Sequence, residues 1–192
     1  MRRLNRAQLQ SFKHTPLLEI NMKNIITVIT FLFLFVHLTA CSKSESIEDI
    51  KNFTSLSPLL ASAGMPSKSE FSIVQKSGYQ HIINLIPGDF SDEKKNINSL
   101  GMSFDQIAVD WNEPTLADFK HFVRLMNTYK LDKVLVHCRL NYRASAFAYL
   151  YQTTQLGIDK STAQSQMRAI WEPDGTWLKF INEVEQNYNN PK

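Results

Sequence analysis

A cysteine and an arginine separated by four residues carry the clearest chemistry in this chain. They lie in His137-Cys138-Arg139-Leu140-Asn141-Tyr142-Arg143, directly after the apolar run Val134-Leu135-Val136. That run reads as a strand buried on both faces, as in the middle of a parallel sheet. The residues from Arg143 to Leu156 read as a helix ending at Gly157. The thiol therefore falls in a strand-to-helix loop, where free N–H groups and the helix dipole favour negative charge. Arg143 adds a fixed positive charge, and the two together favour the thiolate, the reactive form of cysteine. The same amides and the guanidinium fork suit a tetrahedral oxyanion such as phosphate. A thiolate beneath such a cradle can attack phosphorus and form a cysteinyl-phosphate.

The leaving oxygen of that reaction needs a proton donor, which a nearby carboxylic acid supplies. Val109-Asp110-Trp111-Asn112-Glu113-Pro114 offers Asp110, with Glu113 in reserve and Asp174, in the turn Pro173-Asp174-Gly175, a distant third. Plainer roles stand beside these. Cys138 can be a buried apolar filler, and Asp110 can simply turn the chain before Pro114. His137 has no metal-ligand cluster around it. A hydrogen bond near the loop that supports the thiolate is the expectation for its ring. His81 and His121 read as surface or packing residues. Trp111, Trp171 and Trp177 read as packing, with Trp111 able to border the cleft. Arg139 faces either substrate or solvent.

The surrounding elements must bring these residues together. Ser67-Lys68-Ser69-Glu70 is a capping box, opening a helix with Phe71, Ile73 and Val74 that ends at Gly78. His81 to Ile86 is a buried strand stopped by Pro87-Gly88. A helix from Ser91 to Leu100 ends at Gly101, and a strand follows from Phe104 to Val109. Thr115, with Asp118, caps a helix whose Leu116, Phe119, Phe122, Val123 and Met126 follow helical spacing. Two more helices are expected over 160–170 and 177–188. The alternation predicts an α/β fold with a mainly parallel central sheet flanked by helices. In such sheets ligands sit beyond the carboxyl ends of the strands.

Taken together, these segments resemble the cysteine-dependent protein tyrosine phosphatase superfamily, and within it a bacterial branch related to the phosphatase-like domain of beta-lactamase hydrolase-like proteins. The resemblance runs from about Leu56 to Glu185. Its marks are Ala63-Gly64-Met65-Pro66-Ser67, Ile82-Ile83-Asn84-Leu85, Val109-Asp110-Trp111 with Pro114-Thr115, and Val136-His137-Cys138 through Asn141-Tyr142-Arg143-Ala144-Ser145. It implies a phosphatase-like α/β sandwich with Cys138 as nucleophile, Arg143 as phosphate-binding arginine and Asp110 as general acid. Arg139, Leu140, Asn141, Tyr142, Ala144 and Ser145 would contact substrate, the amides of Arg139 to Arg143 lining the cradle. No metal or other cofactor is implied. The implied substrates are phosphate monoesters, phosphotyrosine included, on a phosphorylated protein or a small molecule. The loop departs from the superfamily pattern by being one residue shorter and by lacking glycine. Asn141 is its only residue at ease with positive φ. Ala144 stands where a serine or threonine usually follows the arginine, and Ser145 comes one later. Two other functions remain open. Rhodanese-like sulfurtransferases are similar in holding a cysteine, there as a persulfide, in a loop with this four-residue spacing. A binding module without turnover is suggested by Ala144.

Composition bounds the rest. With 192 residues, 43% of them apolar, the chain suits one ordinary domain. Two cysteines make no disulfide scaffold. The net charge of +3 belongs to residues 1–40, where Arg2, Arg3, Arg6, Lys13 and Lys23 face only Glu19. The remainder is close to neutral, so a nucleic-acid partner has no support. Ile25 to Ala40 is a short apolar run behind Lys23, the pattern of a secretory signal. An uncleaved N-terminal membrane helix is the alternative. Leu38-Thr39-Ala40-Cys41 resembles the bacterial lipoprotein processing box, which implies a lipid on Cys41 and a membrane anchor. Ser42 resembles sorting to the outer membrane, on its periplasmic side. The expected organisation is a leader and signal over 1–40 with the natural start at Met22, a tether over 41–52, and the domain over 53–188. With Cys41 lipidated, Cys138 is the one thiol left.

Overall fold

The computed structural model describes residues 46–189, so the leader, Met22 and Cys41 lie outside the described residues. Five strands form one sheet: β1 (Thr54–Ser57), β2 (Leu60–Ala63), β3 (His81–Asn84), β4 (Ser103–Gln106) and β5 (Val134–His137), in the order β1-β2-β5-β3-β4. Only β1 runs antiparallel to its neighbour; β2, β5, β3 and β4 are parallel. The helices are α1 (Glu70–Lys76), α2 (Ser91–Ser99), α3 (Leu116–Thr128), α4 (Tyr142–Thr154), α5 (Lys160–Arg168) and α6 (Gly175–Asn189). Among the described residues no helix is long and apolar enough to cross a membrane.

The central strand explains why the sheet is covered on both sides. All four residues of β5 are buried. Successive side chains of a strand point to opposite faces. Accordingly Leu135 joins one core cluster with Ile50, Phe71, Val74 and Ile97, while Val134 and Val136 join the other with Phe119, Phe122, Phe147 and Phe180. Helix α4 lies within the larger cluster, and every residue from Ala144 to Gln152 is buried. Phe147 sits at its centre, with ring centroids 5.8 Å from Phe119, 5.6 Å from Phe122 and 5.5 Å from Phe180. We expect Phe147→Ala to destabilise the domain by about 3–5 kcal/mol, read as a lower urea midpoint.

The capping signals are realised. The Ser67 N–H donates to Glu70 Oε2 at 2.6 Å and the Glu70 N–H donates to Ser67 Oγ at 3.3 Å. Thr115 and Asp118 cap α3 in the same reciprocal way. Two strands carry no signal in the sequence, and two expectations need correction. Strands β1 and β2 carry no apolar alternation: β2 is Leu-Ala-Ser-Ala, small residues buried on both faces. The strand expected to reach Val109 leaves the sheet after Gln106, whose side-chain amide donates to the Ile86 and Gly88 carbonyls instead. Residues 46–52, expected to be the end of a tether, pack on the domain instead. A 3-10 turn spans Ile47–Asp49, and Ile50 is 1% exposed.

Candidate active site

The parallel register aligns Ala63, His137, Asn84 and Gln106 in one row, which is the carboxyl rim of the sheet. Cys138 is the first residue beyond that rim and Asp110 is four residues beyond it. The Cys138 N–H donates to the Ala63 carbonyl at 3.3 Å. The side chain is 1% exposed, at the floor of the loop and against the larger core cluster.

The loop carbonyls are held on its outside. Arg139 O accepts from the Met65 N–H at 3.4 Å, and Leu140 O accepts from Asn52 Nδ2 at 2.9 Å. Within one planar trans peptide the C=O and N–H point in opposite directions. The amides of Leu140 and Asn141 therefore point away from Met65 and Asn52, and Leu140 bridges Gly64 in antiparallel fashion. Asn141 then takes φ 68°, the left-handed conformation that lets so tight a loop enter α4 without a glycine. As N-cap it makes no side-chain cap bond; its Nδ2 reaches the Asn52 carbonyl at 2.6 Å instead. The first N–H groups of α4, which have no intrahelical partner, thus stay available to an anion. Gly64 permits the close approach behind the loop: its N–H donates to Lys51 O at 2.6 Å, and a Cβ there would sit 2.9 Å from that oxygen. We expect Asn141→Ala to weaken vanadate or phosphate binding about tenfold, measured by calorimetry, since left-handed alanine costs about 1–2 kcal/mol. Asn141→Gly, which restores only the backbone freedom, should fall between alanine and wild type.

Arg143, one residue into α4, spends one donor on the protein. Its Nε donates to the Val109 carbonyl at 3.1 Å, and its Cζ lies 5.2 Å over the Trp111 ring. Among the described residues its terminal nitrogens have no carboxylate partner, so the fork remains for an anion. Asp110 is exposed, and its Oδ1 accepts from the Asn112 N–H at 2.8 Å. The carboxylate thus shapes the turn and keeps Oδ2 free. Trp111 packs against Trp171 and Trp177 at 5.5 and 5.2 Å, and Tyr142 stacks on Trp171 at 4.9 Å. These rings form an aromatic wall beside Arg143.

The structure brings Cys138, Arg139, Leu140, Asn141, Tyr142 and Arg143 into one loop, with the Asp110 segment touching Arg143. It separates others. The Ser145 hydroxyl donates to Tyr142 O at 3.0 Å and accepts from Trp171 Nε1 at 3.1 Å. Ser145 therefore braces the wall through its hydroxyl. Ala144 is fully buried and can offer only its backbone amide. His137 points away from the thiol's side of the sheet. Its Nε2 is 3.1 Å from Glu93 Oε1, which also accepts from Asn84 Nδ2 at 2.8 Å, while Asn84 Oδ1 accepts from the Ile86 N–H at 2.7 Å. That buried network ties β5 to α2, so the His137 hydrogen bond near the loop goes to Glu93. Glu93 was not legible in the sequence, where it reads as a first-turn acid favoured by the helix dipole. Glu113 and Asp174 are exposed. His81 packs as expected, stacked on Tyr129 at 3.7 Å, at the start of β3 and away from the rim. Among the described residues no group of three or more histidines, cysteines or acids could hold a metal ion. A cleft of about 760 Å³, lined by Met65, Pro66, Phe71 and Glu93 among others, takes no residue from 138–143.

The five-stranded sheet and its rim loop belong to the protein-tyrosine-phosphatase-like class of α/β folds. The solved structure of TpbA from P. aeruginosa in complex with phosphotyrosine superposes with a TM-score of 0.59, covering 77% of this chain and 95% of that one. At 15% identity that likeness concerns the fold. Two structures of a DUF442 phosphatase candidate from Shewanella putrefaciens CN-32 are nearer. They are 33% and 35% identical, cover 74% and 76% of this chain and 96% and 98% of theirs, and give TM-scores of 0.67 and 0.65. The chain belongs to that DUF442 family. It is also 30% identical over 134 residues to the beta-lactamase hydrolase-like protein of Xylella fastidiosa, a match of 62% of this chain. The chain spans only 30% of the length of that relative. No protein-family model matches the chain.

Proposed function

We propose that the protein is an exported, lipid-anchored phosphatase that hydrolyses phosphate monoesters through a cysteinyl-phosphate. The observation that carries the reading is the loop itself: the one cysteine among the described residues sits in a tight turn into α4, whose first N–H groups have no intrahelical partner, with Arg143 one residue into that helix. In this mechanism the Cys138 thiolate attacks phosphorus and the ester P–O bond breaks. Asp110 gives its proton to the leaving oxygen. The Asp110 carboxylate then takes a proton from water, the water oxygen attacks phosphorus, and the P–S bond breaks to return the thiolate. Arg143 and the α4 amides hold the three equatorial oxygens throughout. An aryl phosphate suits the wall of Trp111 and Tyr142, which supports phosphotyrosine in a protein or a small aryl ester as substrate. The anchor rests on Leu38-Thr39-Ala40-Cys41, and Cys41→Ser is expected to move the protein from the detergent phase to the aqueous phase.

The four-residue spacing also favours a persulfide carrier. The contact of Arg143 with the acid segment argues for the phosphatase, since persulfide transfer needs no general acid. The test gives the purified protein p-nitrophenyl phosphate and, in parallel, thiosulfate with cyanide. Phosphate release without thiocyanate supports the phosphatase, and with phenyl phosphate, whose poor leaving group depends on the acid, Asp110→Asn should lower it about 10²-fold. Thiocyanate without phosphate overturns it in favour of sulfur transfer. Neither product, with phosphate binding that requires Arg143, points to a module that binds without turnover.

A further inference from the structure

We propose that Trp177, on the C-terminal helix, is a positioning residue that holds the acid-bearing segment in place over the anion loop. The inference rests on Asp110 acting as the general acid. Residues 109–114 form no helix or strand. Two main-chain anchors nevertheless fix them. The carbonyl just before Asp110, Val109 O, accepts from Arg143 Nε at 3.1 Å. The carbonyl just after it, Trp111 O, accepts from Trp177 Nε1 at 3.0 Å. Both donors are rooted in core helices, Arg143 in α4 and Trp177 in α6. Trp177 is 2% exposed, and its ring lies 6.4 Å from Phe147 and 5.5 Å from Phe180.

The Trp111 ring completes the clamp, with Trp177 packed against it and the Arg143 guanidinium over it. The Asp110 backbone is thus held on both sides, and its Oδ1 is held by the Asn112 N–H. What is left free is the Oδ2 that would carry the proton. The fold therefore builds the acid segment as a fixed part of the site, where an unanchored loop would have to close on each turnover. Packing alone asks only for a large ring at position 177. The indole N–H is the additional feature, and Phe removes it while filling most of the same volume.

The test is Trp177→Phe in the full chain, assayed on p-nitrophenyl phosphate and phenyl phosphate. The first has a good leaving group that needs little proton assistance; the second depends on the acid. The clamp predicts a kcat loss of about 10-fold or more on phenyl phosphate and less than about 3-fold on p-nitrophenyl phosphate. In an Asp110→Asn background, W177F should add no further loss on phenyl phosphate, because two residues acting through one group are not additive. Equal losses on both substrates, or the same loss repeated in that background, overturn the proposal. Hydrogen exchange keeps the question open to measurement apart from turnover. In the wild type the Trp177 indole N–H should exchange slowly, and in W177F the Asn112 amide should exchange faster. Rapid indole exchange, or an unchanged Asn112 amide, overturns the clamp even if no phosphate ester is hydrolysed. A chain with no Cys138-dependent phosphate release but with both exchange results would retain the clamp and lose the proposed reaction.

Discussion

Cys138→Ser should abolish phosphate release, by at least about 10⁴-fold in kcat, while inorganic phosphate binds as before. The two halves of this expectation have separate causes. A serine hydroxyl stays protonated near neutral pH and has no general base beside it here, so it cannot replace a thiolate as nucleophile. The anion, in contrast, is held by the backbone amides and Arg143, which the substitution leaves untouched. Cys138 is 1% exposed and serine differs from it by one atom, so the fold has little reason to change. Isothermal titration with inorganic phosphate and a stopped assay with p-nitrophenyl phosphate measure both halves on one sample. Loss of binding together with turnover would mean that the thiol shapes the loop. Retention of turnover would remove Cys138 from the chemistry.

Arg143→Ala should cost about 10³-fold in kcat/KM, and here binding and turnover should fall together. Removing a single preorganised oxyanion donor typically costs about 10²–10³, and this arginine presents more than one. It also bonds Val109 O and covers the Trp111 ring, so its loss loosens the acid segment at one of its two anchors. Arg143→Lys separates charge from geometry. Lysine keeps the positive charge but has no planar fork and no Nε–H to reach Val109. We expect the lysine variant to recover less than about a tenth of the lost activity. Near-complete recovery would show that charge alone suffices and that the contact with Val109 contributes nothing.

Wherever the sequence carried a strong local signal, the structure follows it. Val134-Leu135-Val136 has apolar side chains in succession because β5 is covered on both faces. Thr115 with Asp118, and Ser67 with Glu70, announced helix starts through side chains that satisfy free N–H groups. The turn from Cys138 to Arg143 was legible as a strand-to-helix loop because it lies in consecutive residues. What escaped was long-range. Leu-Ala-Ser-Ala in β2 has little strand propensity and is a strand only because β1 and β5 pair with it. Glu93 meets His137 across 44 residues of chain, Trp177 meets Trp111 across 66, and Asn141 meets Asn52 across 89. No periodicity or local motif encodes such pairs. Ser145 is another such case: next to the loop in sequence, it turns its hydroxyl to Trp171.

The bonds from Lys51 and Asn52 to Gly64, Leu140 and Asn141 also decide where this protein can safely be cut. A proteolytic nick after Asn52, or a shortened version beginning at Phe53, would spare every strand and every long helix. It would nonetheless strip the rim loop of its outer braces and expose the apolar seat of Ile50. Such a fragment should be soluble, well folded by circular dichroism and nearly silent in an assay, and its silence would say nothing about the intact protein.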